Sequence, residues 1–169
     1  DELNRRKGEL SWNDLEDMLS GFAYDAYYNH SAQSAKNYFL VWDYAINQGF
    51  AFGSGMGTNH HYGYQVRKIY TTAWLMRDAI WKAPNRDNIL SALIFWSALQ
   101  ETRIPFQYGR DELLDSWHTL LMAKTVSALL FVDERERARA LAGLSRWLSG
   151  SLQYSPGTIG GIKVDGTTF

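Results

Sequence analysis

Ser11-Trp12-Asn13-Asp14-Leu15-Glu16-Asp17-Met18-Leu19-Ser20-Gly21-Phe22-Ala23-Tyr24-Asp25-Ala26 is the stretch that decides the fold class. Its apolar groups recur at Trp12, Leu15, Leu19, Phe22 and Ala26, in steps of three and four, which stacks them on one face of an α-helix. Ser11, with Asp14 three places on, opens that helix as a cap. A half-buried strand would alternate every second residue, and this stretch does not.

The same period continues outward along the chain. It returns from about Ser31 to Asn47 at Ala35, Tyr38, Val41, Trp42 and Ala45. A third helix follows Asn59-His60-His61-Tyr62 and carries Val66, Ile69, Tyr70, Ala73, Arg77 and Ile80 until Pro84 ends it. Asn85 or Asp87 caps a fourth through Leu90, Leu93, Ile94 and Ser97. The fifth spans roughly Asp111 to Phe131. The sixth opens with an Asp133-to-Glu136 capping box and runs through Leu141, Leu144, Leu148 and Leu152. Nothing reads as strand, so the predicted class is all-α. Most joints are short, and short joints make neighbours antiparallel hairpins.

Three such hairpins suit a small bundle or half of a larger α/α toroid. Two features favour the toroid. Trp74, Trp81, Phe95 and Trp96 fall off the main stripes, as on helices buried on two faces. The glycine-rich stretches 49–58 and 155–166 follow the second and sixth helices, where a hairpin repeat brings both to one end. Loops gathered at one rim are a natural place for a cleft.

Composition narrows the function classes. The 169 residues are 46% hydrophobic and 21% charged, ordinary values for a globular domain, with no apolar run of membrane-spanning length. A formal net charge of −1 gives no global basic field of the kind nucleic-acid binders show. The absence of cysteine removes disulfides and thiolate metal sites. Aromatics reach 15%, with seven Trp and ten Tyr. Such rings fill gaps between helices, and they also offer flat apolar faces that suit sugars.

The densest polar and aromatic cluster is Thr58-Asn59-His60-His61-Tyr62-Gly63-Tyr64-Gln65-Val66-Arg67-Lys68, which follows glycines at 53, 55 and 57. Glycines there allow the backbone close to a ligand. Paired histidines can bind metal, but no HExxH or CxxC spacing accompanies them, so no metal site is expected. A capping or packing role competes with substrate contact by Asn59, His60, His61, Tyr62 and Tyr64. Arg67 and Lys68 can meet a carboxylate or sulfate, or simply be solvated. Arg103, Arg110, Asp111 and Glu112 form a second polar group at the fourth joint, where acidic residues are by default helix-dipole partners. The run 133–139 reads as a solvated helix face, and His30 and His118 as structural.

At Asn59-His60-His61, followed by a helix, the chain resembles the chondroitin and hyaluronan polysaccharide lyases. In the narrower members an Asn-Trp-Trp segment opens a barrel helix and its tryptophans stack on sugar. Here both tryptophans are histidines, and the longer string from Gln48 through Tyr64, continuing through Arg67-Lys68-Ile69-Tyr70, looks more like the broad-specificity chondroitin ABC branch. The tail Val164-Asp165-Gly166-Thr167-Thr168-Phe169 resembles the segment that, in the family, precedes a catalytic His and Tyr.

The resemblance implies that residues 1–169 are the first half of a toroid catalytic domain in a longer, multidomain chain. The polar opening Asp1-Glu2-Leu3-Asn4-Arg5-Arg6-Lys7 fits such a cut. The fragment alone is then expected to be inactive and poorly soluble. Its substrate would be a sulfated glycosaminoglycan, chondroitin or dermatan sulfate. Its other partners would be the remaining domains of the same chain, with no nucleic acid and no membrane, in the periplasm or outside the cell. No cofactor is assigned, although a divalent cation in the full-length enzyme is compatible with the resemblance.

The chemistry implied is removal of the uronate C5 proton and expulsion of the 4-linked oxygen. The neighbouring carboxylate must be neutralised as charge develops, and Asn59, His60, His61 and Arg67 suit that task. Glucuronate and iduronate present that proton from opposite faces, so acceptance of both calls for a base on each side. His61 is the expected base for iduronate, with Asn59 holding the carboxylate; His60, Tyr62, Tyr64, Arg67, Arg110 and Glu112 are the expected substrate contacts. Two alternatives stay open. A helical-barrel glycoside hydrolase would need two carboxylates about 5–10 Å apart, and Asp111, Glu112 and Asp115 supply no pair that stands out. A non-catalytic glycan-binding helical module needs none.

Overall fold

The computed structural model describes residues 12–49, 60–107 and 113–153, with side chains described over 14–49, 67–98 and 120–149. Seven helices occupy the described residues: α1 (Trp12–Tyr28), α2 (Ala32–Asn47), α3 (His60–Leu75), α4 (Arg77–Lys82), α5 (Arg86–Gln107), α6 (Leu113–Leu129) and α7 (Glu134–Gln153). There is no strand among them. The Ser11 cap, both glycine-rich stretches apart from Gly49, and the segment 108–112 lie outside the described residues.

Local chemistry fixes several helix ends. Ser31 caps α2, its Oγ accepting from the Ser34 backbone N–H at 3.2 Å. The turn ahead of it bends through His30 at φ 55°. Asp25 ties that turn down, accepting from Asn29 Nδ2 at 2.8 Å and from the Ser34 hydroxyl. These bonds, Asn29 first, hold the Asp25 carboxyl below the usual carboxylate range. At the other end of the chain Asp133 Oδ1 accepts from the Glu136 N–H at 2.9 Å and caps α7, as the sequence spacing predicts.

Two helices depart from expectation. The third periodic segment is broken at Met76, which sits at φ −88°, ψ 8° between α3 and α4. Thr72 Oγ1 bonds the carbonyls of Lys68 and Ile69 one turn earlier, a side-chain competition that bends helices. Arg77 Nη1 donates to the Trp74 carbonyl at 3.0 Å, an acceptor that an unbroken helix would offer to residue 78. The fourth segment runs past Ser97 to Gln107 as α5. Pro105 lies within it but removes only one backbone donor near the end, where the helix stops anyway.

The hairpins stack in two layers. The first helices of successive hairpins touch, α1 on α3 and α3 on α6, while α2, α5 and α7 back them. Thr71 reaches Met122, and further along both chains Trp81 Nε1 reaches the Leu130 carbonyl at 2.9 Å, so α3–α4 and α6 run the same way. A helical toroid repeats this arrangement around its ring. The core between layers holds Leu15, Leu19, Tyr38, Trp42, Ile69, Tyr70, Ile89 and Leu93, all at most 3% exposed. Tyr70 brings its hydroxyl inside and donates to the Leu93 carbonyl at 2.6 Å, which ties α3 to α5. Of the four rings off the main stripes, Trp96 is buried and Trp81 half-buried, whereas Trp74 and Phe95 stay exposed.

Candidate functional site

The candidate residues converge on α3. His60, His61, Tyr62 and Tyr64 form its first turns, so the cluster is held on a helix whose later turns are anchored in the core by Ile69, Tyr70 and Ala73. A rigid support of this kind suits a site better than a free loop. Asn59, Arg110 and Glu112 lie outside the described residues.

Helical register sorts the cluster. Residues 60, 64, 67, 71 and 74 follow one another in steps of four and three and share one face of α3. The later members of that face, Arg67, Thr71 and Trp74, are exposed. His60 and Tyr64 thus belong by position to the face that α3 turns to solvent further along. Tyr62 shares register with Ile69 and Ala73, which are buried. His61 stands between the two, seven residues before Lys68, which is itself exposed and bonds Asp17 of α1 at 3.1 Å.

The sequence missed one ionisable group beside this face. Glu16 of α1 is only 3% exposed, and its Oε1 has no hydrogen-bond partner. Burial raises its carboxyl to about 7; the positive charge of Lys68 opposes that rise, and neighbouring Asp17 adds to it. In turn Asp17, then Glu16, push the Lys68 ammonium upward. The signal was present in the sequence: Glu16 falls four residues after Trp12 and three before Leu19, within the apolar stripe, where a carboxylate has no reason to sit unless it is buried.

Arg77 stacks on the exposed Trp74 ring, its Cζ 4.5 Å from the ring centroid. The Arg77–Trp74 stack stands at the far end of α3 from His60, and Lys68, paired with Asp17 of α1, lies between the two ends. Cations such as Lys68 and Arg77 can meet an anionic group on a ligand. Among the described residues no group of three or more His, Asp or Glu is arranged to hold a metal ion. No helix there is long and apolar enough to cross a membrane.

Comparison with known proteins gives the family. The family profile described as "Lyase, catalytic" matches residues 1–169. The chain is 32% identical to a chondroitin sulfate ABC exolyase from Bacteroides thetaiotaomicron over 136 residues, 79% of this chain and 13% of that protein. It is 30% identical over 140 residues to a chondroitin sulfate ABC endolyase from Proteus vulgaris, covering 82% of this chain and 14% of the relative. A chondroitin sulfate ABC exolyase from the same organism is also 30% identical, over 138 residues. The chain thus spans 13–14% of the length of these relatives. No solved structure matches it significantly.

Proposed function

Because the chain belongs to this family of lyase catalytic domains, we propose that it forms part of a polysaccharide lyase that cleaves chondroitin sulfate and dermatan sulfate by β-elimination. The observation that carries the reading is the family match over the whole chain, joined by relatives named for chondroitin sulfate at 30–32% identity. By this reading residues 1–169 supply the first half of a toroid domain, and a sulfated glycosaminoglycan lies across the first turn of α3.

The chemistry assigns work to each group. The uronate C5 proton is weakly acidic, so its removal needs the adjacent carboxylate neutralised as negative charge builds. Asn59, His60 and Arg67 supply donors and positive charge for that purpose. The position of His60 and Tyr64, in register with exposed Arg67, supports their contact with the sugar chain. His61 accepts the C5 proton when the uronate is iduronate. An imidazole with an ordinary pKa of about 6.5 can do this at neutral pH, and the tryptophan of narrower relatives cannot.

The test is turnover by the full-length protein on chondroitin sulfate, followed by ultraviolet absorbance. Elimination leaves a carbon–carbon double bond conjugated to the uronate carboxylate, so absorbance rises with chain cleavage. Cleavage without absorbance would make the protein a hydrolase. Binding without cleavage would make it a glycan-binding module.

A further inference from the structure

Two adjacent carboxyls of α1 stand in opposite surroundings. Glu16 lies in the apolar stripe beside Leu15 and Leu19, is 3% exposed, and its Oε1 meets no hydrogen-bond donor among the described residues. Burial there favours the neutral acid, because an ionised carboxylate in apolar surroundings needs a partner. Asp17, the next residue, stands in solvent with its side chain 71% exposed and accepts from Lys68 Nζ of α3 at 3.1 Å.

Lys68 therefore serves one carboxyl while its charge already acts on the other. Its stem is flexible and its ammonium has three donors, and an exposed pair such as Lys68–Asp17 holds it only weakly. The helices packed on α1 are α2 and α3. From α3 the charge that acts on Glu16 is Lys68, while neighbouring Arg67 is exposed. From α2 come the phenols of Tyr38 and Tyr44 in the shared core, and burial pushes the Tyr38 hydroxyl far up, so it stays uncharged. The charged residues of α2, Lys36 and Asp43, line a crevice with Pro84 instead. On α1 itself Asp17 acts on Glu16, and Tyr24 acts on Lys68.

We propose that Glu16 is a proton-gated latch between α1 and α3: neutral, it leaves Lys68 to Asp17, and ionised, it draws Lys68 to itself and away from Asp17. The structure shows the first arrangement, with Lys68 on Asp17 and the Glu16 Oε1 unbonded. The exchange falls near neutral pH, since burial holds the Glu16 carboxyl at about 7. Because the folded state keeps this proton more tightly than the unfolded one, the α1–α3 contact weakens as pH rises, and Lys68 limits the loss. The helix so latched is the one that His60 and His61 open, with Lys68 two turns below His61. The latch stands whether or not the protein is a lyase.

The experiment is backbone hydrogen exchange of α1 and α3 in the full-length protein, read by mass spectrometry and corrected for intrinsic rate, at about pH 5.5 and about pH 8.5. Double-mutant cycles pair Lys68→Met with Asp17→Asn and with Glu16→Gln, and any general loosening by one substitution cancels within its cycle. At the lower pH, Lys68→Met should cut protection about two- to fivefold, an effect that disappears in the Asp17→Asn background and persists with Glu16→Gln. At the higher pH the dependence reverses, so that the effect disappears with Glu16→Gln and persists with Asp17→Asn. Lys68→Met should also move the pH at which protection falls upward by about one unit, since the cation that favours ionised Glu16 is gone. Coupling of Lys68 to Asp17 that is equal at both pH values overturns the latch. So does a Glu16–Lys68 coupling that is absent at the higher pH or already full at the lower.

Discussion

Glu16 is the residue whose behaviour the sequence half announces. Its place in the apolar stripe of α1 is legible, but its neighbour Lys68 comes from 52 positions away, and no local pattern reveals that pairing. Its folded carboxyl stands at about 7, above the 4.5 of a free one. The folded state therefore holds the proton more tightly than the unfolded state. Stability from this group is fully present below pH 4.5 and is lost as pH rises from 4.5 to about 7. Glu16→Gln keeps the shape and removes the titration. Urea unfolding should find the variant more stable than the parent at pH 8, by on the order of 1–3 kcal/mol, with the gap closing by pH 4. A constant gap across that range would place the titration elsewhere. His61 carries the other prediction at this scale. His61→Ala should cost about a hundredfold or more on dermatan sulfate and little on chondroitin sulfate, the pattern of a lost base on one face of the uronate. Equal loss on both substrates would leave His61 as a binding or structural residue.

Among the elements, those with local signals were readable and those set by distant partners were not. Ser31 and Asp133 bond their own helix starts, so the openings of α2 and α7 could be located from sequence. Asp133→Ala should lower stability by about 1 kcal/mol, seen as a shift in urea midpoint without a change in slope. The break at Met76 was not readable, because apolar spacing runs straight through it from Ile69 to Ile80. What interrupts the helix is a pair of side chains, Thr72 and Arg77, bonding carbonyls of the preceding turn. The extension of α5 beyond Ser97 was hidden for a related reason. Its apolar groups no longer keep to one stripe, and Pro105 reads as a stop although it sits two residues from the real end. Tyr70→Phe tests the joint between α3 and α5. Loss of the bond to the Leu93 carbonyl at a buried site should cost roughly 1–3 kcal/mol, measurable by thermal unfolding.

For the whole molecule, hairpin logic predicted antiparallel pairs, and the layering follows from it once the first helices stack on one another. Exposure of individual rings was not predictable, since Trp74 and Trp96 look alike in sequence yet Trp74 is exposed and Trp96 is buried. The candidate site was legible as a cluster, and α3 puts residues 60 and 64 in register with exposed Arg67 and residue 62 in register with buried Ile69. The central claim concerns the reaction to which these elements belong. Mass spectrometry of the products, formed by the full-length protein from chondroitin sulfate in oxygen-18 water, tests it most directly. Elimination breaks the glycosidic bond without adding water. The account predicts disaccharide or larger products lighter by one water than hydrolysis would give, with no label incorporated during cleavage. Products of full hydrolytic mass carrying one labelled oxygen would contradict it.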